Sequence, residues 1–170
     1  TGPLGAPVEC EYGVIENKKL AIIEMAGVAG LPLVPEETRK PLYTTTYGVG
    51  ELILQAIDRG CREFIIGIGG SATNDGGIGM LQALGFGMLD SDGKQVPFGA
   101  VGLKHLCLIT SKEVNKKLSE CHFKIACDVE NPLCGENGCS YVFAPQKGAT
   151  KQEIEKMDQW MRRYGNLAKE

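Results

Sequence analysis

The stretch EFIIGIGGSATNDGGIGMLQALG, residues 63–85, decides the fold that we expect for the chain. It opens with a short β-branched apolar run, which is typical of a buried strand. Six glycines follow between positions 67 and 79, together with Asn74 and Asp75, and an apolar pattern of helical spacing begins at Ile78. A packed core has no need of such glycines, whereas a backbone that bends sharply and lets a ligand approach does. The stretch therefore predicts a strand, a ligand-binding loop and a helix.

Length and composition limit the classes of protein that fit. The chain has 170 residues, 43% of them hydrophobic, which is enough for one sizeable core and predicts a single domain over residues 1–170. The net charge is −3 and no run of Lys or Arg occurs, so we expect no nucleic-acid partner. No apolar run is long enough to span a membrane. Seven cysteines without a CxxC spacing predict free thiols in a reducing compartment, the cytoplasm, and argue against zinc.

Strand-like and helix-like segments alternate along the rest of the chain. VECEYGVI and KLAIIEMA predict a hairpin, YGVGELILQAIDRG predicts a helix that Gly60 ends, and FGML, HLCLI and FKIACDV predict further strands. Two capping boxes, TSKE at 110–113 and TKQE at 150–153, predict helix starts. This alternation predicts an α/β fold, a three-layer-like domain with a mixed, largely parallel central sheet flanked by helices.

The glycine-rich stretch allows more than one interpretation. Gly67, Gly69 and Ala72 fit the dinucleotide pattern G-x-G-x-x-A, and Asp90 lies where an acid would bind the ribose. The helix of that fold begins within the pattern, however, whereas TNDGG intervenes here and adjacent glycines disfavour a helix. A phosphate-binding Walker loop is excluded because no Lys-Ser/Thr pair follows the glycines. A turn from strand to helix remains, in which Asn74 or Asp75 caps the helix, binds a ligand, or both.

Four segments resemble glycerate kinases of the bacterial type I family: IGIGGSATNDGG, TTTYGVGELI, ACDVENPLCGENG and FAPQKGAT. Their order and approximate spacing match, and the resemblance covers essentially the whole chain. Proteins of that family are longer and contain two α/β domains, of which one is inserted into the other. The resemblance implies that residues 1–170 are the inserted domain, that a second domain of the same polypeptide is missing, and that this part alone is inactive. The alternative is a free-standing module of Rossmann-like type that binds a small ligand or a nucleotide.

The resemblance implies transfer of the γ-phosphoryl group of ATP to a hydroxyl of D-glycerate, with Mg²⁺ as the metal. Such a reaction needs a carboxylate near the attacking hydroxyl and cations or N–H groups around the phosphates. Asp75, at the tip of the loop, and Asp128, at the end of a strand, are the candidate catalytic residues, and either one is a candidate ligand of Mg²⁺. Helix capping and turn formation are the alternative roles for these two aspartates. The candidate substrate-binding residues are Gly69, Gly70, Ser71, Thr73, Asn74, Asn131, Lys147 and Arg39.

Two of these candidates carry positive charge. Lys147 precedes a predicted helix and could reach an anion, and Arg39 could bind the carboxylate of glycerate in bidentate fashion. The backbone N–H groups of residues 44–46, at the start of another predicted helix, could also bind an anion, although a loop with a helix cap explains them equally well.

Overall fold

The structure, a computed structural model of the chain, describes residues 1–169. Within residues 1–169 six strands form, β1 Gly13–Ile15, β2 Leu20–Glu24, β3 Glu63–Gly67, β4 Gly87–Leu89, β5 Leu108–Thr110 and β6 His122–Ala126. Four of them make the central sheet, in the order β1-β2-β3-β6. β1 pairs with β2 in the antiparallel direction, whereas β2, β3 and β6 run parallel. The predicted fold class, α/β with a mixed and mostly parallel sheet flanked by helices, is confirmed.

In the described part of the chain six α-helices accompany the strands, α1 Ala26–Ala29, α2 Tyr47–Asp58, α3 Ile78–Ala83, α4 Ala100–His105, α5 Cys139–Phe143 and α6 Lys151–Leu167. α2 ends as predicted, because Gly60 adopts a φ of 92° that other residues rarely take. Its apolar stripe packs on one face of the central sheet. The core between them contains residues of β2, β3 and α2, namely Ala21, Ile23, Phe64, Ile66, Val49, Leu52, Ile53, Ala56 and Ile57.

α2 and α3 cross at very short range, and glycines make this crossing possible. A Cβ atom on Gly50 would collide with the carbonyl oxygen of Met80 and lie 2.6 Å from the Cβ of Ala83. A Cβ on Gly79 would collide with the hydroxyl of Thr45. The two helix starts are therefore held together, and the glycine-rich loop between β3 and α3 lies against the start of α2.

A second core lies under α6. The capping box predicted at its start is present, since the side chain of Thr150 accepts the N–H of Glu153 and the Glu153 carboxylate accepts the N–H of Thr150. The predicted apolar stripe of α6 is buried through Ile154, Met157 and Met161. This stripe packs against α4 and α5, and its core also includes residues of α3 and β4.

The predicted strands FGML and HLCLI are present as β4 and β5, which pair with each other in an antiparallel sheet separate from the central one. One sequence-based expectation is wrong. TSKE starts no α-helix. A short 3-10 helix begins six residues later, at Lys116, and Asn115 caps it by accepting the N–H of Lys117. None of its residues is buried, so there is no apolar stripe to stabilise a longer helix. The sequence also missed α4 and, within a predicted loop, α5.

No helix within residues 1–169 is long and apolar enough to cross a membrane.

All seven cysteines are free thiols, and only Cys61 is fully buried.

Candidate functional site

The loop between β3 and α3 leaves the carboxyl end of the parallel sheet, where ligands of α/β proteins commonly bind. Gly69 and Gly70 are exposed, and the backbone of Gly70 turns with a φ of 68°. The chain then passes inward, because the N–H of Ala72 donates to the carbonyl of Ala29 and the N–H of Leu31 donates to that of Gly70. The loop is thus an exposed glycine turn, followed by the half-buried Ser71 and a buried run over residues 72–75.

Asp75 lies at the end of this run and is 1% exposed. Its Oδ2 accepts hydrogen bonds from the N–H of Thr46 at 2.9 Å, from the hydroxyl of Thr46 at 2.8 Å and from the N–H of Gly79 at 3.4 Å. Its Oδ1 accepts the N–H of Gly77 at 3.1 Å. Burial raises the pKa of Asp75, and the hydrogen bonds from Thr46, Gly77 and Gly79 act in the opposite direction. We call this arrangement the Asp75 clamp, because it fastens the start of α2 to the start of α3.

The clamp changes the expectation for residues 44–46. Thr46 uses both its N–H and its hydroxyl on Asp75, the hydroxyl of Thr45 accepts the N–H of Tyr47, and the hydroxyl of Thr44 donates to the carbonyl of Ala72. All three threonines are buried. The suggestion that this helix start binds an anion is therefore wrong for Thr46, whose N–H is already satisfied by a carboxylate. The prediction that Asp75 takes part in chemistry stays a prediction, and its surroundings show a structural role.

Lys147 is the buried cation of the site. It lies in a short 3-10 helix, Pro145–Lys147, between α5 and α6, and is 7% exposed. Its ammonium donates to the hydroxyl of Ser71 at 2.8 Å and to the carbonyl of Thr73 at 2.6 Å. It forms no salt bridge within the described part of the chain. Burial lowers the pKa of Lys147 to about 8, although the charges of Cys139 and Asp75 act to raise it. An ammonium carries three donors, so one remains for a ligand.

Asn74 holds the same loop from the other side. Its amide donates to the hydroxyl of Ser140 at 3.0 Å and contacts the sulfur of Met157 at 3.5 Å. Arg39 lies beside the turn that follows Lys147, since a Cβ on Gly148 would be 2.8 Å from the Cβ of Arg39. The Nε of Arg39 is buried and has no hydrogen-bond partner in the structure. Ser71, Thr73, Asn74 and Lys147 are thus brought together, with Arg39 adjacent through Gly148.

The remaining predicted residues follow β6. Asp128 is exposed and forms no hydrogen bond among residues 1–169, and the exposed Asn131 donates to the carbonyl of Asn137 at 2.9 Å. Neither residue bonds with Ser71 or Lys147. Across residues 1–169 no group of three or more His, Cys, Asp or Glu side chains could hold a metal ion.

The dinucleotide interpretation is not supported by the position of Asp90. This residue follows β4, outside the parallel sheet, and its carboxylate accepts the N–H groups of Asp92 and Lys94 at 2.9 Å each. Asp90 therefore shapes a local turn. α3 also begins only at Ile78, six positions after Ala72.

One supporting residue was missed by sequence reasoning. Asp158 is 6% exposed on α6, and its carboxylate accepts the N–H of Gly135 at 2.7 Å and bonds with Arg162 at 3.3 Å. It ties the loop after Asp128 to α6. The sequence did contain a signal for Asp158, because an aspartate next to Met157 on the apolar stripe of a helix is unusual unless it has a buried partner.

Comparison with known proteins gives the family. A sequence model described as the Glycerate kinase family matches residues 1–170. A glycerate kinase of Haemophilus influenzae is 50% identical over 168 residues, and a glycerate 2-kinase of Escherichia coli is 48% identical over 169 residues. Each match covers 99% of this chain. A solved structure from Salmonella typhimurium LT2, described as a glycerate kinase 2, is 51% identical and superimposes with a TM-score of 0.96 over 98% of this chain.

The relatives are longer than this chain, and the match covers only part of each of them. The chain spans 44% of the length of the two curated relatives and 45% of the solved chain. Within that span, the family match and the agreement of the folds extend over essentially every residue. The chain therefore belongs to the glycerate kinase family.

Proposed function

We propose that the chain is part of a glycerate kinase that transfers the γ-phosphoryl group of ATP to a hydroxyl of D-glycerate, and that the loop around Ser71 binds an anionic group of a substrate. The proposal depends mainly on one observation: the buried ammonium of Lys147 donates hydrogen bonds to the glycine-rich loop, and the groups that accept them are neutral. A cation that gave up water without forming a salt bridge is expected to serve a ligand of opposite charge.

The surroundings of Lys147 suit a carboxylate or phosphate ligand. Gly69 has open space around its Cα, so a ligand can approach the backbone closely. The backbone N–H groups of such turns bind anions. Interactions with a largely desolvated ammonium are stronger than in bulk water, because the effective dielectric constant is lower. Arg39 supplies a second cation, and its buried Nε without a partner supports bidentate binding of the glycerate carboxylate.

The other residues of the loop act mainly by holding it. Thr73 contributes the carbonyl oxygen that orients the Lys147 ammonium, and Asn74 fixes the loop to α5 through Ser140. We assign Gly69, Gly70 and Ser71 to direct contact with substrate, since they are exposed or half-buried. In a reaction that depends largely on positioning, such fixed contacts hold the acceptor hydroxyl in line with the phosphoryl group.

The two candidate carboxylates differ in availability. Both oxygens of Asp75 already accept hydrogen bonds and the residue is 1% exposed, so a metal or a substrate hydroxyl has little access to it. Asp128 is exposed and unbonded, and we assign it, with the neighbouring Asn131, to the metal. Mg²⁺ usually binds one or two carboxylates together with substrate phosphates and water, which a single aspartate satisfies. When bound, Mg²⁺ neutralises charge on the phosphates.

The rest of the active site lies in the further polypeptide, because the relatives are more than twice as long as this chain. We place contacts with ATP in that further polypeptide. A cytoplasmic location is part of the same proposal, and the seven free thiols support a reducing compartment. The alternative of a free-standing ligand-binding module requires that residues 1–170 bind their ligand without any further chain.

The test is a coupled assay of ATP-dependent phosphorylation of D-glycerate by the polypeptide of the relatives' length. Lys147→Met should raise KM for glycerate or lower kcat by about 10- to 100-fold, because a hydrogen bond to a charged group contributes about 1.5–3 kcal/mol. Lys156→Met, which removes an exposed lysine of α6, is the matched control and should leave both constants unchanged. If the two variants behave alike, the anion site is wrong. If the unmodified polypeptide does not phosphorylate glycerate, the activity itself is wrong.

A further inference from the structure

β6 is the edge strand of the central sheet, and all five of its residues are exposed. Phe123 is 40% exposed and Ile125 is 53% exposed. In the register of the sheet Phe123 pairs with Phe64 and Ile125 with Ile66, so these side chains point to the same face. The rings of Phe64 and Phe123 stack with their centres 4.8 Å apart. The apolar face of the sheet therefore continues onto β6.

The helix that covers this face stops short of β6. Ala21, Ile23, Phe64 and Ile66 lie in the same two rows of the sheet and are at most 4% exposed, because α2 packs on them. One further apolar residue extends the uncovered area, Ile68, which is 39% exposed and whose N–H points to the carbonyl of Ala126. We call Ile68, Phe123 and Ile125 the β6 patch. Parallel strands in α/β proteins are normally covered, so a bare parallel strand marks a contact surface.

The backbone of β6 also has an open side. The N–H of His122 donates to the carbonyl of Arg62, and the carbonyl of Ala126 faces Ile68, so these groups point toward β3. Bonding direction alternates along a parallel strand, which leaves the N–H groups of Phe123 and Ile125 pointing away from β3. Such an edge accepts a further strand unless proline, a bulge or an inward charge blocks it. β6 has neither a proline nor a bulge.

We propose that β6 is an interior strand in the longer polypeptide, and that a segment which the relatives have beyond the matched region adds a strand alongside β6 and covers the β6 patch. The length supports this occupant, since more than half of each relative lies outside the match. A second copy of the chain fits less well. In a symmetric antiparallel pair centred on this five-residue strand, Lys124 would lie directly opposite Lys124 of the other copy. Like charges at that position are destabilising.

The first test compares two variants in the polypeptide of the relatives' length. Ile125→Glu should lower the melting temperature by at least about 5 °C, because it places a charge in a covered apolar layer. Leu108→Glu is the matched control, since Leu108 is 51% exposed and also lies in a strand, but in the other sheet. It should shift the melting temperature by less than about 2 °C. Equal shifts in the two variants would contradict the proposal.

The second test needs no variant. Hydrogen exchange of the longer polypeptide should show protected amides at both Phe123 and Ile125, because a paired strand protects the N–H groups that face it. Fast exchange at these two amides would overturn the proposal. So would protection that disappears on dilution, since this would assign the edge to a second copy. Both tests measure stability or protection, so their failure is distinguishable from a failure of the proposed kinase activity.

Discussion

Replacing Lys147 by methionine should remove a pH-dependent component from the stability of the chain. In the folded chain burial lowers the pKa of Lys147 from 10.5 to about 8. The unfolded chain keeps the ordinary value, so between these pH values it binds more protons at this position than the folded chain. Stability rises with pH wherever the unfolded state binds more protons. The contribution of Lys147 is therefore unfavourable below pH 8, and it is relieved as the pH rises toward 10.5.

The size of the effect follows from the two pKa values. A difference from 10.5 to about 8 corresponds to about 3 kcal/mol over the whole range, with a slope of at most about 1.4 kcal/mol per pH unit. Lys147 is 7% exposed, so solvent screens this effect little. Methionine has a similar unbranched length and does not titrate. The exposed Lys156, replaced in the same way, is the control for the loss of a lysine charge.

Urea unfolding of residues 1–170 at pH 7, 8, 9 and 10, followed by circular dichroism, measures the effect. The free energy of unfolding of the wild type, minus that of Lys147→Met, should stay level up to about pH 8 and then grow by about 2 kcal/mol by pH 10. The same difference for Lys156→Met should be independent of pH. Titration of the other cysteines is common to all three proteins and cancels, and Cys139, whose charge interacts with Lys147, is replaced by serine in all three. A level difference for Lys147→Met would show that the folded chain does not hold a desolvated ammonium there, and the anion site would lose its basis.

The remaining predictions concern the clamp, the fold and the activity. Asp75→Asn should lower the free energy of unfolding by about 1–3 kcal/mol, because an amide N–H₂ would face the N–H of Gly77. Unchanged stability with lost turnover in the longer polypeptide would instead assign Asp75 to the chemistry. Residues 1–170 alone should unfold in one cooperative transition, so non-coincident transitions by fluorescence and circular dichroism would contradict an autonomous domain. The same residues should show no turnover of ATP with D-glycerate, and measurable turnover would place the whole active site within them.

Local patterns predicted those parts of the fold that local interactions determine. The strand β3, the end of α2 at Gly60 and the capping box at Thr150 and Glu153 each depend on residues within a few positions, and each is confirmed. The pairing of β4 with β5 was not predictable in this way. Both strands are three residues long, and which sheet they join depends on the packing of α4 and α6 over them.

In the candidate site, too, local patterns predicted some features, whereas contacts between distant residues could not be predicted. The glycine turn could be recognised because the adjacent glycines Gly69 and Gly70 are typical of an exposed, sharply turning backbone. The partner of Asp75 could not, because Thr46 lies 29 positions away and a threonine at a helix start usually caps its own helix. Lys147 was singled out by its position before a helix, and its role in binding an anion stays a prediction. Its contact with Ser71, 76 positions earlier, has no counterpart in any local pattern.

The Asp75 clamp also bears on the order in which the chain folds. It joins segments 29 positions apart, and closing a loop of that length costs entropy before any of its hydrogen bonds forms. The carboxylate must leave water in the same event, which is unfavourable until Thr46, Gly77 and Gly79 are all in place. Both costs are expected to delay the docking of α2 onto α3. We therefore expect the loop that carries Ser71 and Asn74 to take its shape late, so that a partly folded chain has no formed loop for a ligand to bind.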